Sequence, residues 1–359
     1  MSTINLREIQ SILVIKLRHI GDVLLTTPTF RALKTAIPHA RTVALVPKGT
    51  EDMLTLNPCV DEVITFEKGA GLVHELGLVR RLRAEKPDLV INMTEGDRGA
   101  IMGLLSGARY RIGVDPEGRG FLGKRLVYTH TVPTVYDGRH KAVMDMDLLG
   151  PLGIAPVTTG AELYTSQEDD EYVAGILERN GVPRDAKTAV VHPTSRWLFK
   201  CWRDEAVAAV IDHIEGRGIR AVITSGPDAQ ELDRVRNILS LVRSRPVDLS
   251  GKLTLKRLAS VCRRAEFFFG VDTAPMHMAA AVGTPVVALF GPSDSVLWGP
   301  LTGRRVVVEK LAEFPCIPCH RDGCEGSKRS RCLEAITVED AVEAVEIYIR
   351  CAVTPTPLP

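Results

Sequence analysis

A chain of 359 residues is longer than one hydrophobic core usually serves and suits two domains of roughly 150–180 residues each. Its 45% apolar and 25% charged fractions are ordinary for a globular protein in water, and a formal net charge of +1 excludes the bulk positive field of a nucleic-acid binder. No charged segment followed by an apolar core opens the chain, and the apolar run at 12–17 is too short to span a bilayer, so a cytoplasmic protein is expected.

Residues 11–17 form a largely apolar run, as expected for a central parallel strand buried on both faces. The run enters Arg18-His19-Ile20-Gly21-Asp22 and then a helix predicted over 23–34. Gly21 permits a tight turn and Asp22 sits at the helix start. One glycine stands where the dinucleotide fingerprint GxGxxG needs three, which argues against a nicotinamide or flavin enzyme. The alternation continues with a strand at 42–46, a helix at 48–56, a strand at 61–66 and a basic amphipathic helix at 72–85. A strand at 89–93 ends in Thr94-Glu95-Gly96-Asp97-Arg98, followed by a small-residue helix at 99–106 and a strand at 110–114. Such spacing implies a doubly wound parallel sheet. Basic loops at 119–125 and 139–141 read either as solvated surface or as contacts for an anionic acceptor.

Pro151 to Gly160 reads as a domain boundary, giving domains at 1–156 and 157–337 and a terminal helix and tail at 338–359 that can pack back on the first domain. The second domain opens with a helix at 169–181 and a strand at 188–192 that ends in hydroxyl residues, Thr194 and Ser195. Lys200 and Trp202 follow a few residues on. Hydroxyls and a lysine beyond a strand's carboxyl end suit phosphate oxygens, against the alternative of a solvated lysine beside a packed tryptophan. Helices at 204–217, from 229 and at 254–263 alternate with a strand at 220–224 and the segment 247–251.

The stretch Ala265 to Asp294, AEFFFGVDTAPMHMAAAVGTPVVALFGPSD, is a β-loop-α-β unit. Asp272 or Thr273 can cap the helix, Pro275 lies where its missing donor costs nothing, and the free N–H groups with the helix dipole favour an anion. This is read as a diphosphate site, against an ordinary crossover with nothing bound. Cys59, Cys201, Cys262 and Cys351 are isolated and read as buried thiols, while Cys316, Cys319, Cys324 and Cys332 cluster near His320. The cluster opens with C-x-x-C but continues irregularly, leaving a structural zinc and reduced thiols both open. No DxD-type pair stands out, since Asp169-Asp170 falls on a surface helix.

Three segments, in order along nearly the whole chain, resemble glycosyltransferase family 9, the ADP-heptose:lipopolysaccharide heptosyltransferases. They are Lys16-Leu-Arg-His-Ile-Gly-Asp22-Val-Leu-Leu-Thr-Thr-Pro28, Thr194-Ser195 with Lys200 and Trp202, and Val271 to His277 continuing through Phe290-Gly-Pro-Ser-Asp294. The cysteine segment is similar to the branch called heptosyltransferase III. Ala274 stands where the family's more studied members have glycine, a change small enough to keep a close approach.

The resemblance implies a GT-B fold, two Rossmann-like domains facing across a cleft, with acceptor binding in the domain at 1–156 and nucleotide-sugar binding in that at 157–337. It implies an inverting transfer from an ADP-sugar without metal or other cofactor. It puts Asp22 in the place of the catalytic base and Lys200 opposite the departing diphosphate, with Thr194, Ser195, Asp272, Thr273, Ala274 and His277 on the donor. Asp272 suits donor hydroxyls or holds its loop, and His277 is either a donor contact or a buried helix histidine. Lys16, Arg18 and Arg119 are the expected acceptor contacts, with Thr94 and Glu95 pointing to the same side. The implied partners are an ADP-sugar, the lipopolysaccharide inner core and, through the basic loops and an apolar patch of the first domain, the inner face of the cytoplasmic membrane. Nucleic acid is not expected. The competing readings are a transferase for another nucleotide sugar, a non-catalytic nucleotide-sugar module and, last, a dehydrogenase.

Overall fold

The computed structural model describes residues 4–69, 71–156 and 160–353. The chain divides into two compact units, Met1–Tyr164 and Thr165–Pro359.

Unit 1 is built on a six-stranded sheet whose spatial order is β3-β2-β1-β4-β5-β6, parallel throughout. The strands are β1 (Ser11–Ile15), β2 (Arg41–Pro47), β3 (Glu62–Phe66), β4 (Leu89–Asn92), β5 (Tyr110–Val114) and β6 (His130–Val132). Every residue of β1 and β4 is buried, because helices cover both faces and leave no side for polar alternation. The chain winds outward from β1 to β3, then returns to lay β4 along the other edge of β1. The carboxyl ends of β1 and β4 therefore flank the point where the winding reverses, which is where open parallel sheets place ligands.

Two helices depart from expectation. The helix predicted over 23–34 is split into Ile20–Leu24 and Thr27–Ala36. The hydroxyls of Thr26 and Thr27 donate back to the carbonyls of Val23 and Leu24, at 2.6 and 2.9 Å, and Pro28 restarts the helix in its first turn. The helix predicted over 48–56 is only a 3-10 turn, Glu51–Met53, since Gly49 and Leu56 on either side take left-handed φ angles of 87° and 67°.

Unit 2 repeats the winding. Its strands are β7 (Thr188–His192), β8 (Arg220–Ile223), β9 (Val247–Asp248), β10 (Phe267–Val271), β11 (Val286–Leu289) and β12 (Arg305–Val308), in the order β12-β11-β10-β7-β8-β9 and again all parallel. Gly270 sits opposite His192 where β10 meets β7, and a Cβ there would lie 2.6 Å from the His192 carbonyl oxygen. Only glycine lets the two backbones approach this closely.

The first helix of the unit, Gln167–Arg179, is fixed by a capping box between Ser166 and Asp169, while Asp170 accepts from the Ser260 hydroxyl at 2.6 Å and pairs with Arg263. Both members of the acidic pair at 169–170 thus have structural partners. The terminal helix, Val338–Val353, packs on the helix Asp204–Gly216 and puts Ala341, Ala344, Val345 and Ile349 into the core of unit 2. Fully burying Val345 and Ile349 contributes about 1.5–3 kcal/mol each. Trp202, 1% exposed, closes that core and donates its indole N–H to the Ile336 carbonyl at 3.1 Å. No described helix is long and apolar enough to cross a membrane.

Candidate active site

At the winding reversal of unit 2, the segments leaving β7 and β10 gather most of the residues expected there. Thr194 is fully buried and donates its hydroxyl to Glu231 at 2.6 Å; the same carboxylate accepts from the Gly226 N–H at 3.2 Å. Glu231 thereby ties the loop after β7 to the loop after β8. Ser195, 3% exposed, accepts from the Trp197 N–H at 3.2 Å. Lys200 ends a 3-10 turn, Leu198–Lys200, and its ammonium lies 2.5 Å from the Asp272 carboxylate, just past β10. Asp272 is nearly buried and Lys200 about a fifth exposed, so the pair is shielded on one side and reachable on the other.

The helix Ala274–Ala281 begins next. Thr273 at its cap is extended, with φ −158° and ψ 165°, and makes no side-chain capping bond, while Pro275 has no N–H to offer. The first backbone donors of this helix therefore lie beside the Lys200–Asp272 pair, where positive charge and dipole act on the same ligand. His277 is buried on this helix. Burial also holds His192, the last residue of β7, neutral: its pKa falls to about 3, and its ring meets the Thr224 hydroxyl at 2.9 Å.

In unit 1 the corresponding edge is arranged differently. Lys16, the first residue after β1, is 3% exposed, and its ammonium lies 2.8 Å from Asp145, which Lys141 also contacts. Burial alone would raise the Asp145 pKa, but the two ammonium groups outweigh it and hold the carboxyl below the usual range. Lys16 is thus occupied inside the unit and does not present its charge to an acceptor, in contrast to the expectation for it. Thr94, also buried, accepts from the Leu17 N–H at 2.8 Å and clamps the ends of β1 and β4 together.

Asp22 lies in the first turn of Ile20–Leu24, half-buried, and makes no hydrogen bond or ion pair among the described residues. An unpaired carboxylate at a helix start beside the winding reversal is free to accept a proton from a ligand. Arg18 and the Glu95 side chain are exposed, and the Glu95 carbonyl takes the Lys124 ammonium. Arg119 is 81% exposed, with Glu117 at 3.5 Å. A cavity past the ends of β5 and β6 is lined by Lys141, Asp145 and Asp147 among mostly apolar side chains; Lys141 comes from the second basic loop, and Lys16, Arg18, Thr94, Glu95 and Arg119 do not line it.

The model of glycosyltransferase family 9 (heptosyltransferase) matches residues 76–329. Lipopolysaccharide heptosyltransferase 3 of Escherichia coli is 32% identical over 95% of this chain and all of its own length. The chain belongs to glycosyltransferase family 9. It is therefore a glycosyltransferase, and its fold is that of solved family members. A family 9 glycosyltransferase from Veillonella parvula superposes with a TM-score of 0.83 at 24% identity, covering 95% of this chain and 97% of that one. The ADP-heptose lipopolysaccharide heptosyltransferase II of E. coli superposes with a TM-score of 0.76 at 19% identity, covering 96% and 100%.

Two features of this family 9 chain were not singled out by sequence reasoning. Glu231 sits in an ordinary amphipathic helix, Ala229–Leu241, and only its position five residues after Gly226 relates it to the loop it holds. Asp145 was detectable only as the i+4 partner of Lys141. The clustered cysteines all carry free thiols, Cys316 exposed and Cys332 buried with its pKa pushed up to about 11. The described residues hold no group of three or more His, Cys, Asp or Glu that could bind a metal.

Proposed function

We propose that this glycosyltransferase moves a heptose from ADP-heptose to the inner core of lipopolysaccharide with inversion at the anomeric carbon. The observation that carries this reading is the match, 32% identical, to E. coli lipopolysaccharide heptosyltransferase 3 along that protein's whole length.

The chemistry of the two edges supports it. The acceptor hydroxyl transfers its proton to the unpaired Asp22 carboxylate as its oxygen forms the new bond to the anomeric carbon. The bond from that carbon to the diphosphate oxygen breaks through an oxocarbenium-like state, and the electron pair leaves with ADP. Lys200 meets the charge growing on the diphosphate, aided by the Ser195 hydroxyl and the backbone donors at Thr273 and Ala274, while Thr194, whose hydroxyl is given to Glu231, fixes the loop that carries Ser195. Asp272 holds the ammonium in place and offers acceptor oxygens to donor hydroxyls. His277 is buried on the same helix. On the acceptor side Arg18 and Arg119 are exposed cations available to anionic groups and Glu95 is an exposed acid; Lys16 and Thr94 are held within the unit.

An acceptor carried on a lipid places the work at the inner face of the cytoplasmic membrane, with the protein in the cytoplasm and in peripheral contact. The test is a donor panel of ADP-heptose, ADP-glucose and UDP-sugars with extracted core acceptor, scored by nucleotide released. ADP released from ADP-heptose alone supports the reading; release from UDP-sugars alone overturns it.

A further inference from the structure

Seventeen large apolar side chains are exposed among the described residues, and eight of them fall between residues 72 and 126 of unit 1. Six lie on three neighbouring helices, and Phe121 and Leu122 lie in the loop that enters the third. Leu72–Ala84 runs beside Asp97–Leu105: Arg98 pairs with Glu75 near the first turns, and Arg83 donates to the Leu105 carbonyl at 2.8 Å near the last. Lys124–Val127 packs on Asp97–Leu105 through a small cluster of Ala100, Val127 and Tyr128. The outward positions of this trio are apolar where a solvated surface would be polar. Leu72 and Val73 are 75% and 86% exposed, and Leu122 and Leu126 are 102% and 84% exposed. Ile101 and Leu104 continue the face along the middle helix.

Cations border this face. Arg119 and Arg125 are 81% and 67% exposed and form loose surface ion pairs at 3.5 Å with Glu117 and Asp115, and Arg80 is exposed with no ion pair among the described residues. The second basic loop contributes nothing comparable. Arg139 is gripped by Asp137 and Asp147, His140 is buried and Lys141 holds Asp145, so its charge is neutralised within the unit.

We infer that this three-helix face is a docking surface for an anionic phospholipid bilayer, with Leu122 and Leu126 entering the headgroup–acyl boundary while Arg80, Arg119 and Arg125 meet lipid phosphates. Apolar side chains flanked by arginines match that interface in both depth and charge. A second copy of the chain docked through this same face would bring two faces of the same net positive sign together, which is unfavourable. The inference rests on the proposed function, because it is a lipid-borne acceptor that requires the protein to reach a bilayer.

The test is flotation of the full chain with vesicles of phosphatidylethanolamine containing one quarter phosphatidylglycerol, with phosphatidylcholine vesicles as the neutral control. The wild type binds the anionic vesicles, weakens in high salt, and L122D/L126D loses about tenfold in affinity. Both side chains stand in solvent, so the variant keeps its melting temperature and its ADP release with a delipidated core oligosaccharide. Wild-type protein that fails to float, or a variant that floats equally well, overturns the proposal. So does a wild-type dimer that the variant dissociates without any vesicle binding, which assigns the face to self-association. Failure of the proposed function reads differently: no ADP release from ADP-heptose, with flotation intact.

Discussion

In unit 1, the lysine that follows the first strand is buried against Asp145, and the carboxylate six residues further on has no partner among the described residues. In unit 2, the lysine beyond the first strand is partly exposed, and the carboxylate beyond β10 is its partner. Strand order and winding are the same in both. The shared topology therefore fixes where chemistry can occur, at the reversal between β1 and β4 and between β7 and β10, but not which kind. Unit 1 leaves an acid free to take a proton. Unit 2 leaves a cation able to meet an anion. The outer surfaces diverge as well: eleven of the seventeen exposed large apolar side chains belong to unit 1 and six to unit 2.

The sharpest way to break this comparison is Asp22→Asn. If the free acid of unit 1 is the base, kcat falls by about a thousandfold in an ADP-release assay while calorimetric affinity for ADP-heptose is unchanged. A loss below tenfold would remove Asp22 from the chemistry. Lys200→Ala tests the other half. It is expected to cost about 3 kcal/mol of barrier, some hundredfold in kcat, and unlike the first variant it also weakens donor binding. Equal donor affinity in both variants would erase the distinction between the units.

A smaller effect separates them by pH. His192 has a folded pKa of about 3 against an ordinary 6.5, so the unfolded chain takes up a proton below pH 6.5 that the folded unit refuses. Stability in unit 2 is full above pH 6.5 and drops by about 1.4 kcal/mol per pH unit beneath it, about 2 kcal/mol by pH 5. Asp145 has its pKa lowered, so its contribution in unit 1 is complete above the ordinary carboxylate range and fades only as the pH falls below about 4. Hydrogen exchange at pH 7 and pH 5 should show unit 2 loosening first, and H192Q should remove most of the difference. Loosening of unit 1 first would contradict it. The smallest change is expected on chelation: if Lys200 faces the diphosphate as proposed, EDTA leaves the rate of ADP release unaltered, and a large loss would call for a metal on the donor.

The strands were readable because parallel strands covered on both faces are largely apolar, as in 11–15, 188–192 and 267–271, with polar residues only at their ends. β12 was not readable, since it is an edge strand that begins with the exposed Arg305 and is only half-buried afterwards. The break falls at Thr26-Thr27-Pro28, inside a segment whose flanking apolar residues show which face is buried but not where side-chain hydroxyls capture carbonyls. On the candidate site, residues in tight sequence motifs stand where the motifs put them, with Thr194, Ser195, Lys200, Asp272 and Thr273 at one sheet edge. Lys16 is the instructive case. Its place after β1 was legible, but its partner is 129 residues away, and no local signal reports that a distant acid will neutralise it.

The resting pair between Lys200 and Asp272 also bears on selectivity. A bare anion such as inorganic phosphate can claim the ammonium only by leaving the carboxylate stranded in a poorly solvated corner, a poor exchange in free energy. A molecule that brings negative charge and a hydroxyl donor together satisfies both members at once. The pair thus disfavours small bare phosphates without a lid, through the self-sufficiency of two side chains.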